Sequence, residues 1–226
     1  MADLPIRPLD DFSSLVMPYC AGVPHPMMEQ ALRLSAAEFC ERTRCWRYLT
    51  TRTISREEST IVAPSYATIF EIESATFDGL RLEPTQYTQL DQGLDPLADN
   101  TGQPYYISQK NLNSVVLIPP PADPATLVLS LFLKPKVMND LPVASAYAPN
   151  TDDDYNVVPE FMLVQYGETI AAGALTRLLS IPGQSFTDPN RASGFFAIFE
   201  RACDNNFRSN LRGQQRAPSR SRGQYF

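Results

Sequence analysis

Few residues in this chain are of types that do chemistry, and their spacing works against it. His25 is the one histidine, and it sits between Pro24 and Pro26. General-base catalysis needs an imidazole held by a second group, and a positive charge is disfavoured at a helix N-terminus. His25 therefore reads as a residue that leads into a helix, which excludes a Ser-His-Asp triad and histidine-based metal catalysis. Glu57 and Glu58 adjoin in a polar turn between strands, where solvated charge is a simpler reading than a hydrolytic carboxylate pair. Asp152-Asp153-Asp154 lacks the glycine and the spaced carboxylates of a calcium loop and reads as an exposed acidic loop. Cys20, Cys40, Cys45 and Cys203 form no CxxC, and Cys40/Cys45 has no second pair at zinc spacing. Cys40 and Cys203 fall on apolar helix faces, where a cysteine acts as a small hydrophobe. All four read as reduced, in a chain made in a cytosol. Neither GxxxxGK[ST] nor GxGxxG occurs among the ten glycines. No catalytic residue, metal or cofactor is assigned, and the chain reads as a non-enzyme.

Charge is more informative. The net charge is −6, with 19 basic and 25 acidic residues. Five of the basic residues, Arg208, Arg212, Arg216, Arg220 and Arg222, lie in the last 19 positions, which hold no Asp or Glu; 14 basic groups then face 25 acids in residues 1–207, a net of −11. An acidic body with a basic tail suggests a tail that docks. The tail ends in Tyr225 and Phe226. Arginine with aromatics can bind single-stranded nucleic acid, but an acidic body repels phosphate, so protein docking is favoured. The N-terminus has no basic and apolar signal pattern, and the longest apolar runs, such as Leu127–Leu133, are too short to span a bilayer. A soluble protein is expected.

Three segments carry a helical period. His25–Thr43 places Met28, Ala31, Leu32, Ser35, Ala36, Phe39 and Cys40 on one face. Pro159–Ser180 has the stripe Leu163, Val164, Gly167, Ile170, Ala171, Ala174, Leu175 and Leu178. Pro189–Leu211 opens with Asp188 as N-cap and Pro189 at the first position, with the stripe Ala192, Phe195, Phe196, Phe199, Ala202, Cys203 and Phe207. The short Pro-Gly turn between the last two predicts antiparallel packing. From Trp46 the period changes to two. Ile69–Glu73 alternates, and Asp78-Gly79 marks a hairpin before Leu80–Leu82. Tyr105–Ser108 pairs with Ser114–Ile118, and Thr126–Lys134 reads as a central strand covered on both faces. Thr85–Leu90 fits one helical turn in a crossover loop. Residues 1–24 are Pro-rich and read as an irregular, extended lead-in. Pro135–Asn156 reads as a long connection.

The stretch Tyr19–Trp46, YCAGVPHPMMEQALRLSAAEFCERTRCW, resembles the opening of head-to-tail adaptor proteins of tailed bacteriophages. Their first helix reads roughly alRxAaxEFCxRTxxW, and Ala31, Leu32, Arg33, Ala36, Glu38, Phe39, Cys40, Arg42, Thr43 and Trp46 match it. The second match runs from Tyr166-Gly167-Glu168-Thr169-Ile170 through Leu179, then Ile181–Phe186 and the Asp188-Pro189 helix start. Leu131-Phe132-Leu133-Lys134-Pro135 sits where such proteins have a strand. The resemblance covers most of residues 15–211; the β region matches in order rather than in residues, and the loop Ala144–Asn156 is longer than usual.

The resulting expectation is an α+β protein: an antiparallel bundle of three main helices, an inserted small β-sandwich or barrel of about six strands, and an extended C-terminal arm. Residues 1–45 and 157–211 would form the helical core, 46–156 the insertion with its connecting loop, and 212–226 the arm. Leu32, Phe39, Trp46, Ile170, Leu175, Phe195 and Phe199 would pack the core. The resemblance implies a structural virion protein of the neck, made in the host bacterial cytoplasm. It implies a homo-oligomeric ring of about twelve copies in the virion. The portal would lie above the ring and the tail tube or nozzle protein below, with double-stranded DNA passing through unbound and no membrane involved. Arg208, Arg212, Arg216, Arg220, Arg222, Tyr225 and Phe226 would form the portal-binding arm. A second reading is a receptor- or glycan-binding tail component, carried by exposed aromatics such as Tyr105 and Tyr106.

Overall fold

The computed structural model describes residues 5–56, 59–86, 101–137 and 156–214, with side chains as far as 207. In chain order the elements are β1 (Ile6–Pro8), a 3-10 turn (Leu9–Phe12), α1 (Ser13–Val16), α2 (His25–Thr43), β2 (Arg47–Ile54), β3 (Thr60–Val62), β4 (Ala67–Phe77), β5 (Leu80–Arg81), β6 (Glu83–Thr85), β7 (Tyr106–Asn111), β8 (Ser114–Ile118), β9 (Ala125–Pro135), β10 (Val157–Pro159), α3 (Glu160–Leu179) and α4 (Pro189–Gln214).

The strands form three sheets, ordered β2-β9-β4-β5, β3-β8-β7-β6 and β1-β10. Every pairing is antiparallel except that of β6 with β7. The β4–β5 hairpin turns on Asp78 (φ 51°) and Gly79 (φ 77°), the paired left-handed conformations that suit the twist of a two-residue hairpin. β9 is one of the two inner strands of its sheet, and Leu127, Leu129, Leu131 and Leu133 are buried along one face. The other face is covered only at its C-terminal half. There Phe132 is buried under the guanidinium groups of Arg44 and Arg47, 5.8 and 5.7 Å from its ring centre, while Val128 stays exposed.

α2 begins after Pro24 (φ −60°) with Pro26 in its first turn, where a missing N–H costs nothing. It stops at Arg44 in the left-handed conformation (φ 53°), whose N–H donates to the Cys40 carbonyl at 2.8 Å. This satisfies a carbonyl that the helix end would otherwise leave open. α4 starts at Pro189, and the Arg191 N–H donates to the Asp188 carboxylate at 3.0 Å, the N-cap bond that this residue type makes.

The helices meet where side chains are smallest. At Gly173 of α3, an added Cβ would lie 2.8 Å from the Phe199 ring on α4 and 3.0 Å from Ser35 Cβ on α2. Gly173→Ala gains helix propensity of up to ~1 kcal/mol but overpacks a three-helix junction, at a cost of about 1–3 kcal/mol. A net loss is expected, read as a lower urea midpoint. An unchanged or raised midpoint would show that Phe199 has room to move.

The expected core of three bundled helices carrying an inserted sandwich is not what forms. Among the described residues there are four helices and a 3-10 turn, with three sheets, one of them mixed; the fold is α+β without a three-helix bundle core. The reason is burial. One hydrophobic cluster runs from Leu9, Phe12 and Val16, through Leu32 and Phe39 of α2, to Leu129 and Leu131 of β9 and Val115 and Leu117 of β8. α2 thus buries residues against α3 and α4 and also packs on β9. The lead-in supplies a fourth helix and a strand instead of an irregular extension.

Candidate assembly surfaces

Long-range ion pairs fix how the elements stand. Arg42 of α2 forms a two-pronged bond to the Glu200 carboxylate on α4, one prong at 3.0 Å. Arg177 of α3 reaches Glu38 of α2 at 2.5 Å. Lys134 of β9 reaches Glu41 of α2 at 2.9 Å, and Arg44 reaches Glu71 of β4 at 2.8 Å. The charged positions of α2 opposite its apolar face are thus couplings between layers. Beside Arg42, the Glu200 carboxyl is held below its ordinary range, chiefly by that hydrogen bond.

His25 is coupled as well. Its Nε2 lies 2.8 Å from Asp10 Oδ1, and its Nδ1 lies 3.7 Å from Glu29 Oε1. The bond to Asp10, then the charge of Glu29, raise its pKa above the ordinary value, which is about 6.5. These carboxylates outweigh the helix dipole. The tie between the lead-in and α2 is therefore fully present below pH ~6.5 and is lost as pH rises through the raised folded-state value. In an NMR titration the single imidazole should show a midpoint above ~6.5, lowered by Asp10→Asn. A midpoint at or below ~6.5 that ignores Asp10 would contradict this.

Leu32, Phe39, Trp46, Ile170, Leu175 and Phe199 are buried, and Phe195 is half-buried against Tyr19, with ring centres 5.3 Å apart. Trp46 stacks on Tyr66 at 5.9 Å. Tyr105 is exposed, whereas Tyr106 is half-buried. Glu57, Glu58, Asp152, Asp153 and Asp154 lie outside the described residues, as do Leu90 and all but the first two residues of the turn expected over Thr85–Leu90. Of the arm, Arg208 and Arg212 fall within α4, which continues past Leu211 to Gln214, and their side chains are not described. Arg216, Arg220, Arg222, Tyr225 and Phe226 lie outside the described residues.

Three large apolar side chains on the last two helices are uncovered: Val164 on α3, 76% exposed, and Phe196 and Ile198 on α4, 52% and 55% exposed. Phe196 and Ile198 are two residues apart, about 200° around a helix, so α4 shows apolar surface on both flanks. The stripe expected to bury Phe196 leaves it out. That pattern suits a helix with neighbours on two sides.

Among the described residues, no group of three or more His, Cys, Asp and Glu could hold a metal ion, and no helix is long and apolar enough to cross a membrane. No curated protein matches the chain. The family model described as SU10 adaptor protein matches residues 8–222, from the buried lead-in through both long C-terminal helices and into the arginine-bearing tail. That span is nearly the whole chain, and it places the protein in the SU10 adaptor protein family, the structural head-to-tail adaptors of the bacteriophage neck.

Proposed function

We propose that this adaptor forms a ring of about twelve copies beneath the portal, through head-to-tail contacts that close on themselves. It joins capsid to tail and surrounds a channel through which the genome is retained and then ejected. The helical segments, 1–45 and 157–211, would line the ring. The region 46–156 would face outward or downward toward the tail tube or nozzle protein. Residues 212–226 would reach up to the portal, and α4 would carry them there.

The observation that carries this reading is the family match over residues 8–222. Two features support it. The arm holds four arginines and no acid and carries Tyr225 beside Phe226; arginine and tyrosine are side chains enriched among interface anchors. Residues 1–211 have a net charge of −10, and a wall of that sign repels phosphate and lets a duplex slide. A channel lined mainly by Arg or Lys would sink that part of the account.

Cutting the chain after Gln214 removes residues 215–226, the part of the arm beyond α4 with Arg216, Arg220, Arg222, Tyr225 and Phe226, and leaves α4 whole. The full chain is expected to co-sediment with its portal ring, and the cut chain to lose that binding by at least about tenfold, or 1.4 kcal/mol. Equal binding by both would move the portal contact elsewhere on the protein. Glycan binding with no portal association would favour the receptor-binding reading.

A further inference from the structure

At the end of α2 the left-handed Arg44 folds the chain back on the last helical turn. This type of helix end brings the residue after the left-handed one against the residue four before it. Here those positions are Cys45 and Cys40, with Arg44 N–H bonded to the Cys40 carbonyl. Their sulfurs lie 3.8 Å apart. Both are free thiols; Cys40 is buried and Cys45 is partly open to solvent. The Met162 thioether stands 3.9 Å from the Cys40 sulfur, an apolar neighbour on the buried side of the pair.

We propose that Cys40 and Cys45 are a site of reversible disulfide formation, oxidised by small disulfides such as oxidised glutathione. The Cys45 thiolate attacks one sulfur of the small disulfide, forming a mixed disulfide and releasing one glutathione thiolate. Cys40 then gives its proton to the glutathione thiolate released in the first step and attacks the Cys45 sulfur, and the second glutathione thiolate leaves and takes a proton from solvent. The protein loses two protons and two electrons, that is two hydrogen atoms, and one oxidised glutathione becomes two reduced ones. The sulfurs must close from 3.8 Å to about 2.05 Å. Exposure assigns the order, since the open thiol meets the oxidant and the buried one resolves it. Burial raises the Cys40 pKa, and the bond from Cys40 lowers that of Cys45, which fits the same order. The bond would tie the last turn of α2 to the chain entering β2, the junction of helices and sheet. The chemistry does not depend on the neck reading.

The test is to hold the native full-length protein in glutathione buffers of graded potential, quench with acid, denature, alkylate and map the thiols by mass. In oxidising buffer the wild type should lose two of its four alkylatable thiols, fall in mass by two hydrogens, and yield one linked Cys40–Cys45 peptide. Cys45→Ser should keep its thiols, and Cys40→Ser should retain a glutathione adduct on Cys45. The proposal is overturned if all four wild-type thiols remain free, if glutathione stays on wild-type Cys45, or if the bond formed involves Cys20, Cys203 or a second chain.

Discussion

Phe39→Ala is expected to cost about 3–5 kcal/mol, the range for deleting a large buried ring. Phe39 is fully buried, with its ring centre 4.9 Å from that of Tyr166 on α3 and 6.5 Å from that of Phe199 on α4. It is the point where three helices share one aromatic cluster. Phe39→Leu keeps most of the volume and should cost less. Urea unfolding measures both, as a change of midpoint at constant slope. A loss below ~1 kcal/mol for the alanine variant would mean that the junction is loosely packed.

Phe12→Ala is expected to cost a similar ~3–5 kcal/mol, which separates this structure from one with a dangling N-terminus. Leu9, Phe12 and Val16 are fully buried. The lead-in is fastened at both sides: the Leu9 N–H donates to the Asn156 carbonyl at 2.6 Å, and the Glu160 N–H donates to the Pro5 carbonyl at 2.7 Å. Arg7 adds bonds of 2.9 and 2.6 Å to the Glu160 carboxylate, an exposed pair that by itself adds little. The energy lies in the apolar anchors. If Phe12→Ala unfolds with the wild-type midpoint, residues 5–16 are not part of the cooperative unit.

Legibility in the sequence followed element length. α2 could be read to the residue, because nineteen positions repeat the helical period and prolines mark its start. The β4–β5 hairpin was readable from Asp78-Gly79 alone. The lead-in was not, because elements of three or four residues are too short to show a period. Its one signal was the spacing of Leu9, Phe12 and Val16, which is that of a helix face. The bundle expectation failed for a related reason. Periodicity tells which face of α2 is apolar, but not that this face meets a sheet as well as other helices. Pairs such as Arg42 and Glu200 lie 158 positions apart, and no local pattern links them. Among the proposed interaction residues, the arm stood out by charge, whereas the uncovered Phe196 and Ile198 needed the neighbours of α4 to be known.

The most direct measurement is cryo-electron microscopy of the full chain mixed with its phage's portal ring. The account predicts a closed ring of adaptor copies seated on the portal, with α4 leading into density for residues 215–226 against the portal surface. An adaptor that binds through its sheet region with α4 turned away, or that leaves the portal bare, would contradict it.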